Sequence, residues 1–169
     1  EDDHAAAREA YRAFLEEWPL DPRVRDTELR LAQLWMEQAQ AAEEDGVQPE
    51  EVRSLRERAV EDWRRIARRY PSSEEASRAL YSVGATLENE LGDLEGAVEA
   101  YRACSFGGWA DNARRRLSAM TSPELRIATE QTWRSTEPAR VRLEVRNQEE
   151  VTVRLHRLDL EAYFRKHLT

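Results

Sequence analysis

A chain of 169 residues that is 40% hydrophobic, 36% charged and of net charge -8 has enough apolar residues for a core, but no apolar run long enough to cross a membrane. Its charge is uneven, with -9 on residues 1–123 and +1 on residues 124–169, opposite to the basic balance by which a nucleic-acid binder neutralises phosphates. A single cysteine, Cys104, excludes an internal disulfide framework and a thiolate-rich metal site, and His4, His156 and His167 lack metal-ligand spacing, so no cofactor is expected.

Residues 1–120 read with a period near 3.6 and are rich in Ala, Leu, Arg and Glu, the composition of strong helices. Chain breakers divide them into about six helices: Trp18-Pro19 with Asp21-Pro22, Asp45-Gly46 with Pro49, Pro71 with Ser72-Ser73, Gly92-Asp93, and Gly107-Gly108. Ser73 before Glu74 and Glu75 reads as a helix start. The basic runs Arg64, Arg65, Arg68, Arg69 and Arg114 to Arg116 read as solvated helix faces paired with Glu. Thr121, Ser122 and Pro123 form a linker. After it the period changes to 2, predicting strands over Leu125 to Glu130, Ala139 to Arg146 and Val151 to Leu158, a turn around Ser135 to Pro138, and a short helix over Leu160 to Lys166. The expected fold class is therefore α+β, with a helical domain over 1–120, a linker over 121–123 and a β segment over 124–169.

Self-similarity is the strongest signal. Ala7, Tyr11, Phe14, Trp18 and Pro19 recur with the same internal spacing as Ala59, Trp63, Ile66, Tyr70 and Pro71, 52 residues later. A third copy starts at Ala97, with Tyr101 and Cys104 in place, but Gly108 and Trp109 replace the aromatic-Pro pair. Cys104, at the packing position of Phe14 and Ile66, is expected to be a buried, inert thiol. Ahead of the third copy, Leu80, Val83, Gly84 and Leu87 occupy the offsets of a first repeat helix, and Leu31, Leu34, Trp35 and Gln38 are the corresponding set in the middle repeat, with Trp35 at the glycine position.

These residues resemble the tetratricopeptide repeat, although the spacings of 52 and 38 residues exceed that family's 34. The resemblance implies an α-solenoid of helical hairpins whose first helices line a concave, protein-binding groove. Carrying the family's contact positions onto this chain selects Met36 and Gln40 in one hairpin and Arg78, Tyr81, Glu88 and Asn89 in the next. It also raises the expectation of an envelope-associated, extracytoplasmic location in a bacterium.

The tail is similar to the first macroglobulin-type domain of bacterial alpha-2-macroglobulin-family proteins, through Arg146-Asn147 at the end of one strand and Leu158, Asp159, Leu160, Tyr163 and Phe164 after the next. That likeness implies a seven-stranded sandwich of which three strands are present, with more strands following in a longer protein. The family's thioester motif is absent: Thr129, Glu130 and Gln131 include no cysteine. No arrangement of residues points to catalysis. The expected function is a non-catalytic adapter region of a larger bacterial envelope protein, binding a protein or peptide segment, or other domains of the same chain, in the helical groove. The alternative is the N-terminal part of an alpha-2-macroglobulin-like protease inhibitor or trap, with the helices as a spacer.

Overall fold

The computed structural model describes residues 2–129, 137, 138, 140–154, 156 and 159–167. These form two compact units, Glu1–Met120 and Thr121–Thr169. Among the described residues there are seven α-helices and a two-stranded antiparallel sheet, an α+β composition.

The first unit consists of α1 (Asp2–Glu17), α2 (Val24–Glu44), α3 (Pro49–Arg69), α4 (Glu74–Thr86) running into a π-helical turn (Leu87–Leu91), α5 (Leu94–Ala103) and α6 (Gly107–Thr121). Local chemistry sets their ends at the predicted breakers. Gly46 (φ 72°) takes the left-handed conformation after α2, its N–H bonds the Glu43 carbonyl, and Val47 N–H bonds the Ala42 carbonyl. This is a Schellman cap, with Val47 and Ala42 both packed against the cluster of Ala39, Val52 and Leu55. Pro49 opens α3 at a position whose N–H would have no helical partner anyway. The Ser73 hydroxyl accepts from Ala76 N–H (3.0 Å) and the Asp93 carboxylate from Gly96 N–H (2.9 Å), capping α4 and α5.

α1 packs on α2, α2 on α3, α3 on α4 and α4 on α5, and α2 also touches α4. The repeat positions form the core. Ala59, Trp63, Ile66 and Ala97, Tyr101, Cys104 are each at most 3% exposed. In the first copy Ala7, Tyr11 and Phe14 are only half-buried and Trp18 is 54% exposed. The same sequence signature is buried less there because α1 has one neighbouring helix, whereas α3 lies between α2 and α4.

Where α4 crosses α5, a Cβ added to Gly84 would stand 2.6 to 2.9 Å from the Tyr101 ring. That ring has little freedom to give way, since it packs against Tyr81 and its hydroxyl is bonded to Glu88. Gly84→Ala is therefore expected to destabilise: overpacking of about 1 to 3 kcal/mol outweighs the roughly 1 kcal/mol gained from a better helix former. A thermal melt checks this, and an unchanged or higher Tm would contradict the close crossing.

The register of α2 differs from the sequence expectation. Val24, Thr27, Leu31, Ala32 and Leu34 are buried, and so are Ala76, Ala79, Val83, Gly84 and Thr86, each 52 residues later. The small residue equivalent to Gly84 is thus Ala32, not Trp35. Trp35 instead stands partly buried, its indole N–H donating to Asp62 (3.1 Å), with the Arg8 and Arg58 guanidinium groups 4.4 and 5.3 Å from its ring. A plate of that size fits between residues of α1 and α3 but not at the close crossing.

In the second unit, β1 (Glu124–Ala128) pairs with β2 (Arg142–Arg146), aligning Leu125 with Val145 and Ile127 with Leu143. Arg146 and Glu124, opposite each other, form an ion pair at 2.8 Å. Asn147 (φ 55°) turns the chain after β2 and donates to the Ser122 carbonyl (3.0 Å). The third predicted strand is not formed at residues 151–154, which are irregular, with Val153 71% exposed. An alternating pattern specifies a face to bury, but a strand also needs a ladder partner, and among the described residues β2 is paired on one side only. Leu155 and Leu158 of that strand, and Ser135 and Thr136 of the predicted turn, lie outside the described residues. The terminal helix is present as α7 (Leu160–His167), its first turn capped by Asp159, which accepts from Ala162 N–H (3.1 Å).

Candidate interaction cleft

The 52-residue repeat places α2 and α4 in equivalent positions, and their facing sides enclose a cleft of about 180 Å³. One wall is a single stripe of α2, Asp26, Arg30, Gln33 and Glu37, at successive spacings of four, three and four residues. Arg78 and Ser82 of α4 form the other wall. Leu29, Leu34 and the indole of Trp63 lie beneath, so the cleft has an apolar floor and a polar rim.

The charges are distributed unequally along it. Arg30 Nε binds Asp26 Oδ2 at 2.8 Å, while Arg78 Nη1 stays 4.0 Å from Asp26 Oδ1, beyond hydrogen-bonding range. Two guanidinium groups thus share one carboxylate. The Asp26 carboxylate, and more weakly Tyr11 on the cleft's edge, favour the charged form of Arg30. The side chains of Glu37, Gln33 and Ser82 make no hydrogen bond or ion pair with the described residues, so their polar groups are open to a ligand.

Of the six residues selected from the sequence, Arg78 lies in this cleft and the other five do not line it. Met36 is half-buried, and the Thr86 hydroxyl points at its sulfur (3.9 Å). Gln40 is exposed beyond the cleft and donates to Glu44 (3.1 Å). Asn89 is exposed and donates back to the Ala85 carbonyl (2.9 Å). Tyr81 and Glu88 are engaged in holding α6. The Tyr81 ring lies 5.1 Å from that of Trp109, and Glu88, only 16% exposed, accepts from Arg116 Nη2 (2.6 Å) and from the Tyr101 hydroxyl (2.9 Å). Burial, then the bond to Glu88, pushes the Tyr101 phenol up to about 12, against the opposing pull of Arg116.

Asp26 and Glu37 were missed because the α2 register was displaced by three positions, whereas Arg30 and Gln33 match no selected contact position in either register. Applying the 52-residue spacing of Ala7 and Ala59 to the first helices as well would have placed Asp26 at the position equivalent to Arg78 and Glu37 at that equivalent to Asn89.

Elsewhere, Cys104 is buried, its thiol donates to the Ser77 carbonyl (3.2 Å), and burial raises its pKa. Both effects suit packing rather than nucleophilic attack. Among the described residues no three His, Cys, Asp or Glu side chains are grouped to hold a metal ion, and no helix is long and apolar enough to cross a membrane. Comparison of the chain with protein-family models, with curated proteins and with solved structures gave no match.

Proposed function

We propose that the helical unit is a non-catalytic binding module, a tetratricopeptide-like solenoid whose α2/α4 cleft takes a peptide or protein segment. One observation carries this reading: two helices related by the internal repeat face each other across an opening with an apolar floor and a polar rim on which the Gln33, Glu37 and Ser82 side chains have no partner among the described residues. A peptide needs both features, apolar surface to bury and polar groups to fix its register. The acidic balance of the helices and the repeat signature agree with an adapter role in a larger bacterial envelope protein. The second unit then belongs to a macroglobulin-type domain, a reading supported by its paired strands and their uncovered apolar face.

The test is capture of native partners from a bacterial envelope extract by the full chain, compared with a variant carrying Arg78→Glu and Ser82→Glu. The expected result is loss of captured protein with an unchanged melting curve, whereas Arg102→Glu on the outer side of α5 leaves capture intact. Equal capture by all three proteins would remove the cleft from the function.

A further inference from the structure

Resting on that reading, we infer that the cleft selects an extended peptide carrying an acidic and a basic side chain about five residues apart. The inference follows from how charge is divided along α2. At one end, Asp26 is shared by Arg30 and Arg78, leaving a surplus of positive charge and an Arg78 guanidinium with no hydrogen-bonded carboxylate among the described residues. Toward the other end stands Glu37, exposed, lining the same cleft and without an ion-pair partner among the described residues. The cleft is electrically neutral as a whole, yet it has a cationic pole and an anionic pole.

The poles are separated by a fixed length of helix. Asp26 and Glu37 are eleven residues apart on α2, which at 1.5 Å per residue is roughly 16 Å. A chain in extended conformation advances about 3.3 Å per residue and covers that distance in about five residues. Between the poles the floor is apolar, formed by Leu29, Leu34 and Trp63, so a polar or charged peptide side chain placed over it would lose water without gaining a partner, and apolar residues suit the interval. Gln33 and Ser82, with both donor and acceptor capacity unused, lie where they can bond the peptide backbone without reading its side chains. An all-acidic segment would meet Glu37, and an all-basic one would meet Arg30 and Arg78. Repulsion at one pole therefore excludes each of them, which is how a weak cleft acquires specificity.

The experiment uses fluorescein-labelled eight-residue peptides, titrated into the full chain by fluorescence anisotropy. One series has an acidic and a basic residue separated by four apolar ones. The others have two acidic residues at that spacing, two basic residues at that spacing, or the mixed pair made adjacent. The spaced mixed peptide is expected to bind about three- to fivefold more tightly than each of the others, the range of a partly exposed ion pair. Arg78→Ala should abolish the preference for the acidic residue and Glu37→Ala that for the basic one. Glu37→Arg should move the optimum to the all-acidic peptide. The inference is overturned if the adjacent or same-sign peptides bind as tightly, or if the advantage survives in both alanine variants. If peptides bind regardless of charge spacing and Arg78→Glu with Ser82→Glu still blocks them, the cleft remains a binding site and the charge rule alone fails. If neither peptides nor native partners respond to that double variant, the cleft reading falls and takes this inference with it.

Discussion

Truncating Trp63 to alanine is expected to lower the stability of the helical unit by about 3 to 5 kcal/mol, the range for removing a fully buried large aromatic side chain. The same truncation at Tyr11, which occupies the equivalent repeat position 52 residues earlier, should cost less than about 1.5 kcal/mol, because part of that ring already contacts water. The difference is set by neighbours rather than by residue type. Trp63 is 3% exposed on α3, a helix with α2 on one side and α4 on the other, while α1 has α2 alone. Urea unfolding followed by circular dichroism measures both values from the shift in midpoint at constant slope. For a domain whose total stability is about 5 to 15 kcal/mol, the Trp63 variant should be visibly destabilised at room temperature. Equal losses at the two positions would mean that α1 is covered as fully as α3 in solution.

That asymmetry shows what the sequence can and cannot convey. Breakers and caps act within a few residues, so Gly46, Ser73 and Asp93 could be placed from the chain alone, and helix ends followed. The repeat was legible where it carries large residues at fixed offsets, as in Trp63 and Ile66. The first repeat helix was not legible in the same way. Ala32, Ala39, Ala41 and Ala42 give α2 several nearly equivalent apolar faces, and an apolar period cannot choose among them. The choice is made by α3 and α4, which admit a small residue at Ala32 and leave Trp35 outside the crossing. Of the polar wall, Arg30 and Gln33 had no distinguishing mark, since the same spacing describes any solvated helix face. Tyr81 and Glu88 illustrate the remaining gap. They sit at contact positions of the resembled family, yet their roles depend on Trp109 and Arg116, 28 residues further along the chain in each case.

Hydrogen exchange is expected to separate the two units by at least about a thousandfold in rate. Amides in the middle of α3 and α5, around Trp63 and Tyr101, are covered by packed side chains and should exchange through opening events close to global unfolding, which for 5 kcal/mol already slows exchange by more than three decades. The amides of β1 and β2 have no such protection. Two strands alone are marginal in water, and here the apolar side of the pair is uncovered: Leu125 is 49% exposed and its partner Val145 42%, Ile127 65% and its partner Leu143 38%. An exposed apolar strand pair with open edges also favours association between molecules. The protection of Ile127 and Leu143 amides should consequently rise with protein concentration while that of Trp63 and Tyr101 stays constant. Ile127→Glu should abolish the rise without shifting the unfolding midpoint of the helices. Slow exchange in β1 and β2 at low micromolar concentration, in a chain shown by sedimentation to be monomeric, would contradict this, because the sheet would then have a covering layer and its apolar face would not be available to further β structure.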